Sequence, residues 1–316
     1  MSTILVTGAA GFVGSHVIPA LVEAGHRIVG LCRSDAAANL VQRRLPEPHR
    51  AAVETRIGDV VAPATLAPAL EGVDAVYHLA AIPRDYSRGA DLRLVNTEGT
   101  RFMVEAAKRA GVRRFVHQGA LGVEDEPDLH YASSKAKADR IVADSGLDWT
   151  ILQPSLLWGE RDGFFNIMAD LVRISPGIVP VPAGAKSQYQ PISIADLARC
   201  VVACFADDSR IGRSFELGGP TYWSYGGMLA EVLRGMDARR ATLPMPVPLI
   251  RLVAGTSELL RIPFPVATDQ LRQLGLHNAT SLLAVQDGFG FEPVDMAGNL
   301  GYLRRPKREQ EPWSDG

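Results

Sequence analysis

An α/β fold, a doubly wound parallel sheet with a smaller C-terminal cap, is what three features of this sequence predict. Short β-branched runs alternate with helical patterns: "TILVTG", "GSHVIPALVEAG", "RIVGLCR", then "DAVYHLAA", "VEAAKRAG", "RRFVHQG" and "DWTILQP". No hairpin signal separates them, so parallel strands covered on both faces and joined by right-handed crossovers are expected. A glycine-rich junction follows the first strand, and after "ILQPS" the texture becomes irregular and rich in Pro and Gly.

A chain of 316 residues, 47% hydrophobic and 22% charged, can bury a sizeable core in one large domain or two coupled ones. Its formal net charge of -2 supplies no field for a nucleic-acid backbone, so nucleic acid is not an expected partner. The start "MSTILVTGAAG" has neither a basic leader nor a long apolar run, which predicts no transmembrane segment and a cytoplasmic location. Cys32, Cys200 and Cys204 lack neighbours that would complete a metal shell; they read as buried thiols, and no metal site is expected.

The expected boundaries place a dinucleotide-binding domain at 1–158 and 188–219, and a substrate-binding cap at 159–187 and 220–300. "ISIADLARCVVACF" and "RSFELGG" read as a helix and a strand returning to the main layer. A ligand crevice is expected above the carboxyl ends of the strands. Residues 301–316 read as a charged, disordered tail. Pro19 lies inside the first helical pattern and should kink it.

In "VTGAAGFVGSHV", Gly8 allows a tight turn, Gly11 lets the backbone approach a pyrophosphate, and Gly14 lets the helix pack closely on the strand. The helix N-terminus then faces the phosphates. At the end of the second strand, where an acidic residue would accept the ribose hydroxyls of NAD, this chain has Cys32, Arg33 and Ser34. Arg33 suits a 2′-phosphate, so NADP is favoured over NAD; the competing reading is a solvated Arg33 with Asp35 on the ribose. Asp59 in "IGDV" is open to two roles, an acceptor for the adenine amino group or a helix N-cap.

Tyr131 and Lys135 are four apart in "HYASSK", which puts both on one helix face. A free phenol titrates near pH 10, and a neighbouring ammonium stabilises its phenolate, making Tyr131 a usable general acid or base.

With these motifs the chain resembles the extended and atypical short-chain dehydrogenase/reductases, the NAD-dependent epimerase/dehydratase group. The likeness rests on "TGAAGFVGSH", "HLAA", "VNTEGT", "YASSK" and "ILQPSLLWG". "QYQPISIADLA", "FELGGP" and "LPMPVPLIRLVAGTSELL" resemble the branch containing an accessory subunit of respiratory complex I. The resemblance implies that Tyr131 exchanges the proton with the substrate oxygen, and that Lys135 holds the nicotinamide ribose and lowers the tyrosine pKa. It implies that Gly8, Gly11, Phe12 and Val13 line the pyrophosphate, Asp59 and Val60 the adenine, and Leu79, Ala80 and Ala81 the inner ribose. Gln153, Pro154 and Ser155 would sit beside the nicotinamide, and Asn96 is similar to a structural asparagine of the central helix.

The departure is a missing hydroxyl. The family's serine or threonine falls at Gly119 or Ala120, and losing a comparable donor costs roughly 10²–10³ in rate. Gln118 is the expected catalytic substitute, with Ser133 and Ser134 as lesser candidates. His16 and His78 fall in framework segments; His117 and His130 are closer to the chemistry.

The leading expectation is an NAD(P)-dependent oxidoreductase or epimerase acting on a carbonyl or alcohol carbon. The alternative is a weakly catalytic or non-catalytic NADP(H)-binding sensor or assembly protein. A sugar-nucleotide epimerase would need basic residues for a diphosphate, and Arg161, Lys186 and Arg213 are candidates. The amphipathic stretch at 248–262 either closes the pocket over an apolar small-molecule substrate, meets a membrane or partner surface, or simply packs on the cap. A homodimer is an expectation from fold analogy.

Overall fold

The computed structural model describes residues 1–85, 87–175, 177–183, 187–246 and 278–305, so the amphipathic stretch at 248–262 and Lys186 lie outside the described residues. The chain folds as two compact units, one of Met1–Pro154 with Ile194–Leu217, the other of Ser155–Ser193 with the described residues from Gly218 to 305.

In the first unit, β1 (Thr3–Val6) leads to α1 (Phe12–Glu23), β2 (Arg27–Cys32), α2 (Asp35–Arg44), β3 (Val53–Ile57), the short α3 (Leu66–Ala69) and β4 (Ala75–His78). A second series runs through α4 (Ala90–Leu92), a π turn (Arg93–Glu98), α5 (Gly99–Arg109), β5 (Arg114–Gln118), α6 (His130–Ala143) and β6 (Asp148–Pro154). Strands β1 and β4 are almost wholly buried, as central strands covered on both faces must be. By contrast β3, at one edge, is mostly solvent-accessible and carries the Glu54–Arg56 ion pair, a charged edge that resists further pairing. The α1 helix runs through Pro19 without interruption.

The chain later returns with a helix at Ile194–Ala206 and a strand at Arg213–Leu217 that pairs with β6. All seven strands are parallel. Across the sheet the order is the returning strand, β6, β5, β4, β1, β2 and β3. Connections therefore reverse direction between β1 and β4, the point at which a doubly wound sheet opens a crevice at its carboxyl ends. Leu5, Val76, Phe115 and Ile151 from the strands pack with Met103 and Val142 from the helices in one apolar cluster.

The second unit holds β7 (Leu157–Trp158), α7 (Phe164–Ile174), β8 (Ile178–Ala183) and β9 (Ile192–Ser193). Counting the returning elements of the first unit as α8 and β10, it continues with α9 (Tyr225–Gly235), β11 (Ala241–Pro246) and α10 (Ala284–Phe289). Two small parallel pairs, β7 with β9 and β8 with β11, flank a core that includes Phe165, Met168, Val172, Met228 and Val232. The Asp162 carboxylate accepts from the N–H groups of Phe165 (2.7 Å) and Asn166 (3.2 Å) at the start of α7.

Residues 301–305, which the composition groups with a charged tail, belong to the second unit. Gly301–Arg304 form a 3₁₀ turn, Leu303 is fully buried in the cap core, and the Tyr302 hydroxyl donates to Asp162 (2.5 Å). One apolar and one aromatic residue are enough to dock this end, which the adjacent basic residues obscure in the sequence; residues 306–316 lie outside those described.

Candidate functional site

The glycine loop joins β1 to α1. Gly8 adopts φ +66°, and a Cβ there would stand 2.7 Å from Leu79 Cδ1; at Gly14 it would stand 2.5 Å from the Ala9 carbonyl oxygen. Both positions are closed to side chains. Gly11 caps α1 without a side-chain hydrogen bond, so the first N–H groups, around Phe12 and Val13, meet no capping carboxylate or hydroxyl. A tight loop that leads into an uncapped helix start fits a pyrophosphate. Arg44 Nη1, from the last turn of α2, donates to the Ala10 carbonyl (2.9 Å) and braces the same loop, a contact with no local sequence signal.

Beneath the loop, the buried Thr7 hydroxyl accepts from the N–H groups of Leu79 (3.1 Å) and Ala80 (3.0 Å). Its own hydrogen is then directed to His78 Nδ1 (3.0 Å). His78 Nε2 lies 3.0 Å from Thr100 Oγ1, whose hydrogen goes to the Asn96 carbonyl (2.7 Å). These directions fix His78 as the neutral Nε2–H tautomer, and burial likewise pushes its pKa well below the usual histidine value. The half-buried Leu79 and Ala80 thus have a fixed backbone at the end of β4, while Ala81 beyond them is exposed.

At the end of β2, Arg33 is exposed, and the Ser34 hydroxyl caps α2 by accepting from Ala37 N (3.3 Å). Asp59 uses one carboxylate oxygen to accept from Val61 N (3.1 Å), capping a turn rather than a helix; Val60 beside it is buried.

On α6, Tyr131 is half-buried and Lys135 buried, and the Lys135 ammonium donates to the Gln118 carbonyl at the end of β5 (2.6 Å). The helix is held by the π turn, where Asn96 Nδ2 donates to Ser134 Oγ (3.0 Å) and Thr97 Oγ1 to the Ser134 carbonyl (3.0 Å). Asn96 also brackets Ile82 through its N–H (2.8 Å) and carbonyl (3.1 Å). A π turn at such a place is a common mark of functional helices.

Three expectations change here. Alternation along β5 turns His117 and Gly119 toward α6 and Gln118 toward the opposite face, where its Oε1 accepts from the Tyr77 hydroxyl (2.6 Å). Gln118 therefore meets the Tyr131 and Lys135 helix through its main-chain carbonyl rather than as a side-chain donor. The Ser133 hydroxyl is spent on Asp125 (2.6 Å) and that of Ser134 on the Tyr131 carbonyl (2.8 Å), so neither replaces the missing hydroxyl. Finally, the Tyr131 phenol is pushed up to about 12, chiefly by burial and further by the Asp139 carboxylate, not down by Lys135.

Asp139 is a site residue that the sequence motifs do not single out. It follows Tyr131 and Lys135 at a further four-residue step, and it is buried. Its Oδ2 accepts from Gln153 Nε2 (2.8 Å), and its Oδ1 lies 3.2 Å from Nε2 of the buried His117. A Cβ at Gly119 would stand 2.7 Å from both carboxylate oxygens. Burial lowers the Lys135 pKa, and Asp139 opposes that shift; burial also lowers that of His117. Gln153 and Pro154 close β6. Within the second unit, the Ser155 hydroxyl donates to the Asn278 carbonyl (3.0 Å).

The thiols of Cys32 and Cys204 are pushed up to about 11 and about 12 by burial, and that of Cys200 is raised as well, which makes all three poor nucleophiles. Among the described residues no helix is long and apolar enough to cross a membrane.

A doubly wound parallel sheet whose first crossover carries a glycine loop closed to side chains at Gly8 and Gly14 is the architecture of a dinucleotide-binding protein. The chain belongs to the NAD(P)H-binding family, whose model matches residues 8–208. It is 26% identical over 197 residues to NADH dehydrogenase [ubiquinone] 1 alpha subcomplex subunit 9, mitochondrial, of Arabidopsis thaliana, covering 60% of this chain and 48% of that protein. Photosystem II assembly factor Ycf39 of Synechocystis is 25% identical over 310 residues, 95% of this chain and 89% of that one. Sterol demethylase protein B of Methylococcus capsulatus is 36% identical over 183 residues, 51% and 53% of the two. The chain thus spans about half the length of the first and third of these. Among solved structures, the dTDP-glucose 4,6-dehydratase DesIV from Streptomyces venezuelae, with NAD and TYD bound, superposes with a TM-score of 0.73 at 21% identity, covering 98% of each chain; this likeness concerns the fold.

Proposed function

We propose that the chain is an NADP(H)-dependent oxidoreductase in which Tyr131 exchanges a proton with the oxygen of a carbonyl or alcohol carbon. The observation that carries this reading is the seating of Lys135: a buried ammonium, one turn from Tyr131, held at the carboxyl end of β5 by the Gln118 carbonyl. Tyr131, with its pKa raised, stays protonated at neutral pH and is suited to donate to a developing alkoxide. When bound, the cofactor supplies the hydride.

Gly8, Gly11, Phe12, Val13 and Gly14 would hold its pyrophosphate, Arg33 and Ser34 its 2′-phosphate, and Asp59 and Val60 its adenine. Leu79, Ala80, Ala81 and Lys135 would flank the inner ribose, with Gln153, Pro154 and Ser155 on the nicotinamide side. The name of the Methylococcus relative, sterol demethylase protein B, favours an apolar substrate. One observation favours a second reading, a binding protein with little catalysis. Position 119 has no hydroxyl and no room for one, and relatives include a complex I subunit and an assembly factor.

The test is titration with NADPH and NADH by fluorescence, followed by oxidation of the bound cofactor against aldehydes, ketones and quinones. Turnover that Tyr131→Phe lowers by about 10²–10⁴ with cofactor affinity nearly intact supports the enzyme. Tight binding with no turnover across the panel supports the second reading.

A further inference from the structure

The Asp139 carboxylate sits where a family hydroxyl is missing, and its surroundings give it a defined task. The Gln153 amide donates through Nε2 to Asp139 Oδ2 at 2.8 Å, which turns its NH₂ group toward the carboxyl. That leaves the Gln153 carbonyl oxygen as the end available to a ligand, at the end of β6 before Pro154. The carboxylate can reach this place because residue 119 is glycine: a Cβ there would stand 2.7 Å from both Oδ1 and Oδ2. His117 Nε2, at 3.2 Å, closes the other side, and Lys135, one turn earlier on α6, supplies the opposite charge. Gly119 and Asp139 are twenty residues apart in sequence and form one packing unit.

We propose that Asp139 is a positioning residue of the dinucleotide site, seated in the space a side chain at 119 would fill and orienting the Gln153 amide so that its oxygen meets the nicotinamide carboxamide. This rests on the cofactor reading above.

The experiment compares dissociation constants of the full-length protein for NADPH and for 2′-phospho-ADP-ribose, which lacks the nicotinamide. Asp139→Ala is expected to weaken NADPH about tenfold, the worth of one well-placed hydrogen bond, and to leave 2′-phospho-ADP-ribose within about twofold. Asp139→Asn, which keeps an oxygen acceptor, is expected to restore most of the loss. Gln153→Leu, read in the same way, is expected to reproduce the selective loss and stands in if Asp139→Ala does not fold. Gly119→Ser is expected to lower Tm by several degrees in the wild-type background and by less than half as much with Asp139→Ala, since the collision partner is gone. Equal losses on both ligands, or no loss on either, would overturn the proposal alone. Failure of the wild-type protein to bind either ligand would overturn the cofactor reading and this inference with it.

Discussion

The two ends of the proposed dinucleotide site are built on opposite principles. At the phosphate end, Gly8 and Gly14 work by having no side chain, and a Cβ at either would strike Leu79 or the Ala9 carbonyl within a few residues or one strand. At the end proposed for the chemistry, Tyr131, Lys135, Asp139, Gln153 and His117 are gathered through side chains contributed by α6, β5 and β6. A site defined by absent side chains leaves a mark in the sequence that is read locally. A site defined by contacts between elements does not.

The sharpest way to break the contrast is at Gly14. Gly14→Val puts branched carbons against two backbone carbonyls, and dinucleotide binding should fall by more than about 100-fold with a large loss of thermal stability. Retained NADPH binding by calorimetry would show that the loop tolerates side chains after all.

Lys135→Met comes next. It removes the ammonium from the Gln118 carbonyl, and any turnover should fall about 10²-fold or more while the circular dichroism spectrum is unchanged. An unchanged rate would place the chemistry elsewhere. Arg33→Asp tests the intermediate region at the end of β2. It should weaken NADPH about tenfold or more relative to NADH, and equal losses would remove Arg33 from the discrimination of the two cofactors.

The smallest effect concerns stability in the second unit. Burial raises the Asp162 carboxyl to about 7 from an ordinary value of 3.8. Because the folded value is the higher one, its contribution is full below about pH 4 and is lost as pH rises through about 7. Asp162→Asn keeps an oxygen to cap α7, so the Tm difference in favour of the variant should grow between about pH 5 and about pH 8. A difference independent of pH would show that Asp162 does not titrate there.

The same contrast explains how much of the molecule is legible in its sequence. Strand and helix alternation, the parallel sheet and the glycine loop all come from patterns within ten or so residues, and the structure has them. The role of Gln118 escapes such patterns because the face of a strand is set by its neighbours: one step along β5 exchanges Asp139 for Tyr77. Asp139 is visible as a third member of the series begun by Tyr131 and Lys135, but its importance depends on the glycine opposite. Near the end of the described residues, the charge of "RRPKREQ" outweighs in the sequence the Tyr302 and Leu303 that dock on the core.

The hydrogen-bond chain below the phosphate loop has an evolutionary consequence. Leu79 and Ala80 donate to Thr7, Thr7 to His78, His78 to Thr100, and Thr100 to the Asn96 carbonyl, each link fixing the direction of the next. Replacing any one of the three side chains strands a buried partner. Thr7, His78 and Thr100, from three separate segments, therefore act as one unit, and relatives that differ at one of them are expected to differ at the others.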